Sequence, residues 1–179
     1  MSNEPRTWSG DLHPDLLAAK ARVYDPAGLA CSPPVAEAES AQYAAYGFDL
    51  DGRAVRFRAA RTTPAKAGQF VTVWKRPDPR GPIRPFDTAD DLDLVVISSR
   101  DGGQFGQFVL PCAALGERDV LSRDGVGGKR AFRVYPPWVT TTNRQARAAQ
   151  AWQLEFFLPV PEGGPVDLVR ARALYRARD

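Results

Sequence analysis

The chain has 179 residues, 44% of them hydrophobic, and a formal net charge of +3, enough apolar material for one core of ordinary size and against disorder of the whole chain. The N-terminus MSNEPRTWSGDLHP lacks the basic-then-apolar order of a signal peptide, and no run approaches the ~18 apolar residues of a membrane span. Cys31 and Cys112 lie far apart and His13 is the single histidine, so no zinc set forms, and a cytoplasmic protein with reduced, structural thiols, no membrane contact and no cofactor is expected.

In chain order, residues 11–24 read as a helix that stops at Asp25-Pro26, and 35–46 as a second helix with Glu37 and Glu39 facing outward. Phe48–Leu50 and Ala54–Ala60 flank Asp51-Gly52, a strong hairpin signal. In the second of these strands Arg56 and Arg58 share one face, an arginine ladder on one side of a sheet. Gln69–Arg76 reads as a third strand, and the proline-rich 77–86 as a loop. Residues 92–99 (LDLVVISS) are almost continuously apolar, as suits the centre of a sheet, and Asp101-Gly102-Gly103 turns the chain into Gln104–Leu110. One helical turn is expected over Pro111–Leu115, a flexible turn at GVGG (125–128) and a strand over Lys129–Tyr135. A helix over 143–158 with Thr142 or Asn143 as N-cap, and a last basic helix over 166–178, close the chain. The class is α+β: a mixed, largely antiparallel sheet of five or six strands flanked by helices. Residues 1–179 are expected to form a single domain, with 1–34 and 159–179 as appendages.

Charge is unevenly spread. Residues 52–84 hold nine Lys/Arg against one Asp and 129–179 nine against four, whereas 1–51 and 85–128 each hold three against eight acids. Of the 24 cations 20 are arginine, whose planar fork suits phosphate and carboxylate alike. The strand GQFVTVWKR ends in Trp74, Lys75 and Arg76; Lys129, Arg130 and Arg133 lead to Tyr135 and Trp138. With Arg58, Arg61 and Lys66, these join cations that can track phosphate to rings that can stack on bases, the requirement for binding single-stranded or irregular nucleic acid. The competing arrangement puts both tryptophans in the core and pairs the arginines with Asp90, Asp91 and Asp93. Ser98-Ser99 and Thr62-Thr63 have no partner base, and His13 lies on a solvated helix.

The segments RTTPAKAGQFVTVWKR, GPIRPFDTADDLD, GQFVLP, GKRAFRVYPPW and QARAAQAWQLEFF, in order between Glu37 and Phe157, resemble the MepB family, named from a gene beside a multidrug efflux pump and its regulator. The resemblance implies a fold like that of type II restriction endonucleases and an association with nucleic acid. It marks Arg61, Lys66, Gln69, Lys75, Arg76, Arg84, Lys129, Arg130, Arg133, Gln145 and Gln150 as the matching positions with suitable chemistry; Cys112 replaces the family's lysine after the FP-like step. Restriction-type cleavage uses Asp and then Asp/Glu-x-Lys around magnesium, but none of the four lysines has an acid two residues earlier. A degenerate magnesium site would draw on Asp91, Asp93, Glu39 and Gln107. The expectation is therefore binding of DNA or RNA without robust catalysis; a magnesium-dependent nuclease and a protein-interaction module are the alternatives.

Overall fold

A computed structural model describes Trp8 and residues 10–177. Helix α1 (Pro14–Ala19) begins where the His13 ring accepts the Asp15 N–H, and Pro14 fills a position whose N–H would have no partner. The helical path does not stop at Asp25-Pro26. It widens into a π-helical stretch, Lys20–Tyr24, in which Asp25 N–H reaches back to the Lys20 carbonyl. That wider register carries the ladder past the proline into α2 (Asp25–Ala27), which ends at Gly28 with φ 74.

Residues 35–46 are not helical. Val35–Ala36 is an edge strand, β1, paired antiparallel with β2 (Tyr46–Leu50), and between them lies a single 3-10 turn, Ala41–Tyr43. Ser40 (φ 63) and Ala44 (φ 50), both left-handed, stop that turn from extending. Asp51 (φ 49) and Gly52 (φ 79) form the expected hairpin turn into β3 (Arg53–Ala59).

The run 69–76 is not one strand. It divides into β5 (Gln69–Thr72), which lies between β4 (Arg61–Thr62) and a later strand, and β6 (Trp74–Lys75), which pairs with β7 (Arg84–Pro85) inside the proline-rich loop. The hairpin β8 (Leu94–Asp101) and β9 (Gln104–Pro111) follows, then α3 (Cys112–Glu117) and β10 (Ala131–Val134), the second neighbour of β5. Helix α4 (Arg144–Leu154) is capped by Asn143, whose side chain accepts the Ala146 N–H. It ends earlier than its sequence pattern, because Phe157–Pro159 leaves as strand β11, followed by α5 (Leu168–Arg176).

The main sheet has the order β1-β2-β3-β8-β9-β11, antiparallel throughout except for β3 beside β8. Sequence patterning expects all strands in one sheet, but β3 already has β2 on one edge and β8 on the other. β4, β5 and β10 therefore form a separate three-stranded sheet that packs over one face. That face buries Val95, Ile97, Phe108 and Leu110 against Val71, Val134 and Leu115. The opposite face buries Phe57, Val96 and Val109 against Leu16, Val23, Tyr24, Ala171 and Tyr175, so the N-terminal helices and α5 form one joint layer. β8 is buried on both sides, which is why it reads as continuously apolar. Among the described residues no helix is long and apolar enough to cross a membrane.

Gly106 marks the tightest point of this packing: a Cβ there would collide with the Phe157 ring and lie 2.8 Å from the Leu158 carbonyl. Gly106→Ala should destabilise the protein by about 2 kcal/mol in urea unfolding. Gly163→Ala, which meets nothing within 4 Å, should leave the midpoint unchanged.

Candidate functional site

Trp74, Lys75 and Arg76 open onto a cleft of about 630 Å³, whose walls include Glu37, Glu39, Arg56, Phe86, Asp90 and Asp91. Its cations face carboxylates. Lys75 Nζ donates to Asp90 at 2.6 Å, and the Arg76 guanidinium and the Trp74 indole N–H both donate to Glu39, at 2.8 and 2.9 Å. Arg76 and then Trp74 hold the Glu39 carboxyl below its usual range. Asp87, just behind the cleft, accepts from the Ser122 hydroxyl and from the Ala89 and Gly125 N–H groups, which lower its pKa to about 2.

Arg58 departs furthest from the sequence reading. Instead of standing on an exposed ladder it is 0% exposed, because the small sheet covers the face it shares with Arg56. It donates to the carbonyls of Thr72 and Phe57 and, at 3.1 Å, to Glu37. Glu37 also lies 3.6 Å from Arg56. Burial loosens the Arg58 proton, and Glu37 acts against this. No phosphate can reach Arg58 without unpacking the two sheets.

The four carboxylate and amide candidates are not brought together. Glu39 and Asp91 line the cleft. Asp93 accepts the Ala54 N–H at 2.8 Å and closes the start of β3. Gln107, with 0% exposure, lies in the opposite layer and accepts the Tyr175 hydroxyl at 2.6 Å, because alternation along β9 turns it away from the Phe108 face. Among the described residues no group of three or more His, Cys, Asp or Glu is placed to hold a metal ion.

Of the remaining basic positions, Arg61 and Arg133 lie on strands of the small sheet, Lys66, Lys129 and Arg130 on the segments that lead into them, and Arg84 on β7. Register sets Arg61, Phe70 and Arg133 side by side across β4, β5 and β10. Alternation turns that row away from the core side of Val71 and Val134. Tyr43 packs edge-on against Phe70, ring centroids 6.1 Å apart. Lys129 and Arg130 lead into β10, where the Arg130 carbonyl accepts the Val73 N–H, and Arg84 lies opposite Lys75. Arg61, Lys66, Arg84, Lys129 and Arg130 are exposed, and none forms an ion pair with another described residue. Arg133 instead holds the turn before β5, donating to the carbonyls of Ala67 and Gly68.

The glutamines divide by burial. Gln69 is buried, bonded to Thr62, Ser99 and the Arg100 carbonyl. Gln150 pins the carbonyls of Pro136 and Val139, whereas Gln145 is exposed. Sequence reasoning missed Glu37 as a site residue. The signal for Glu37 was present in VAEAES, where two glutamates two apart after a β-branched residue mark an extended edge rather than a helix.

A family model described as MepB-like matches residues 37–159, a span that holds both the cleft and the small sheet. Among solved structures, a crystal structure of MepB superposes with a TM-score of 0.70 at 28% identity, over 83% of this chain and 98% of that one. No curated protein matches.

Glu37 is the half-buried carboxylate partner of the fully buried Arg58, so removing it strands the guanidinium. Glu37→Ala should therefore cost about 3 kcal/mol, and the double variant Glu37→Ala/Arg58→Met less than that; urea unfolding of both variants measures the order. Asp87 and Glu39 have carboxyls whose folded pKa is depressed, so their contribution is complete above the ordinary carboxyl range and is lost as pH falls through the folded value. For Asp87 the window runs from about pH 4 down to about pH 2. The stability difference between wild type and Asp87→Asn should narrow across that window in acid titrations followed by circular dichroism.

Proposed function

This chain belongs to the MepB-like family, and we propose that it binds nucleic acid, as a single domain, on the outer face of its small sheet, without robust catalysis. The observation that carries the reading is the set of exposed cations without ion pairs, Arg61, Lys66, Arg84, Lys129 and Arg130, with Arg61 directly beside Phe70, whose ring packs on Tyr43. A cation with no carboxylate partner exchanges only small counterions when phosphate arrives, and a half-exposed ring offers a face to a base. Lys75, Arg76 and Trp74 take a different role from the one their sequence pattern gives them. They form the wall of the cleft, since phosphate would have to displace Asp90 or Glu39 to use them.

The mixed sheet, with β3 and β8 parallel at its centre, supports a restriction-endonuclease-like reading of the fold. The buried Cys31, its thiol pushed up to about 12 chiefly by burial, supports a place in the reducing cytoplasm.

Fluorescence anisotropy with labelled single-stranded DNA, duplex DNA and RNA over a salt series tests the reading. Affinity should fall linearly in log–log salt. The quadruple variant Arg61→Ala/Lys66→Ala/Arg84→Ala/Arg130→Ala should lower the slope by about 3 and the affinity by at least about tenfold. Lys75→Ala/Arg76→Ala should leave the slope unchanged. Absence of binding to every probe at low salt overturns the reading.

A further inference from the structure

A second groove, of about 430 Å³, runs between the outer edge of β10 and helix α4. Gln153, 1% exposed, joins its two walls by accepting the Tyr135 N–H at 2.8 Å and donating to the Arg133 carbonyl at 2.9 Å. The helix thus stands where a further strand would pair, and the groove is built on fixed elements rather than on a loop. Its lining differs in kind from the cleft. Arg118, Lys129 and Arg133 contribute three cations, and no aspartate or glutamate lines it. Arg118 and Lys129 form no ion pair with any described residue. The Lys129 N–H donates to the Val120 carbonyl at 2.9 Å, which keeps the lysine beside the segment that carries Arg118.

Aromatic surface accompanies this charge. Trp152, Phe132 and Tyr135 are half-buried, and the Arg118 guanidinium lies 5.5 Å from the Trp152 ring centroid. Trp152 and Phe132 rest against the core behind them, so each ring is fixed on one side and offers its remaining surface to the groove. The exposed Gln145, in the first turn of α4, adds a carboxamide able to donate and accept. Uncompensated positive charge, a planar apolar surface and an amide within one small-ligand-sized groove are the complement of a phosphate joined to a heteroaromatic base.

We propose that the groove takes one nucleotide, its phosphate on Arg118 and Lys129 and its base on Trp152. The nucleotide is either free or an unpaired residue of a bound strand, and in the second form the proposal rests on the nucleic-acid reading above. Isothermal titration of the full chain at low salt with adenosine 5′-monophosphate, adenosine and inorganic phosphate, beside anisotropy with a single-stranded oligonucleotide and a blunt duplex, tests it. The monophosphate should bind at least about tenfold more tightly than either fragment. Arg118→Gln should weaken it about tenfold, and Trp152→Phe, which keeps a ring against the core, by less than Trp152→Leu. The variant lacking Arg61, Lys66, Arg84 and Arg130 should bind the monophosphate like wild type.

The oligonucleotide arms separate the two sources. A single strand weakened by Arg118→Gln and Trp152→Leu, with the duplex unaffected, assigns the groove to an unpaired residue of a strand. Monophosphate binding in a protein that takes up no oligonucleotide assigns it to a free nucleotide and removes the nucleic-acid reading alone. Oligonucleotide binding that ignores Arg118→Gln and Trp152→Leu in a protein that binds no monophosphate overturns the groove and leaves the nucleic-acid reading intact. Inorganic phosphate binding as tightly as the monophosphate also overturns it.

Discussion

Arg58 ties three parts of the molecule to one guanidinium. From β3 in the main sheet it donates to the Thr72 carbonyl in the small sheet and to Glu37 beside the edge strand β1. A guanidinium removed from water is costly without acceptors, and Thr72, Phe57 and Glu37 supply them to its Nε and Nη1, while Nη2 has no partner among the described residues. Once Glu37 is drawn to Arg58 and Arg56, Glu39, two residues on, stands over Trp74 and Arg76. The cleft wall at Glu39 thus follows from the contact between Glu37 and the buried Arg58. The Thr72 hydroxyl adds a second tie by donating to Ser40 at 2.6 Å, beside the left-handed turn that brings the 37–39 segment across.

This arrangement sorts the cations into two populations that sequence cannot tell apart. Arg56, Arg58, Lys75 and Arg76 are matched by Glu37, Asp90 and Glu39, so the block rich in cations and the blocks rich in acids meet in space and neutralise one another. Arg61, Lys66, Arg84, Lys129 and Arg130 come from the same basic blocks but lie where no acid reaches them. In GQFVTVWKR, Trp74 and Arg76 meet Glu39 and Lys75 meets Asp90. Exposed cations that form no ion pair with a described residue lie a few residues away, at Arg61, Lys66, Lys129 and Arg130.

Much of the architecture was legible where one periodicity dominates. The Asp51-Gly52 hairpin, the doubly buried β8, the β8–β9 hairpin, the Asn143 cap and the closing helix all follow from local signals. The misreadings have a common cause, in that tertiary contacts decide short segments. Residues 35–46 are alanine-rich and score as helix, yet pairing with Tyr46 and Gly47 and the pull of Arg58 on Glu37 hold the first part extended. At the break, the Val73 N–H still donates to the carbonyl of Arg130, 57 residues away in sequence. Alternation placed Arg56 and Arg58 correctly on one face, but only the closure of both edges of β3 puts a second sheet over that face.

Site residues followed the same division. Residue type identified the cations and rings; it could not assign each cation a partner, since Lys75 meets Asp90 across 15 residues and Arg76 meets Glu39 across 37. The carboxylates near Asp90 separate for a local reason, because Asp93 is committed to the Ala54 N–H that starts the parallel β3–β8 pair, while Asp91 stays on the cleft wall. A single extended segment thus delivers one acid to the backbone of the main sheet and leaves its neighbours for the surface. The groove beside α4 shows the converse: no aspartate or glutamate lines it, and α4 carries none along Arg144–Leu154 and β10 none along Ala131–Val134. The absence of acid from two adjoining elements, visible in the sequence, becomes a property of a site only when Gln153 fastens them together.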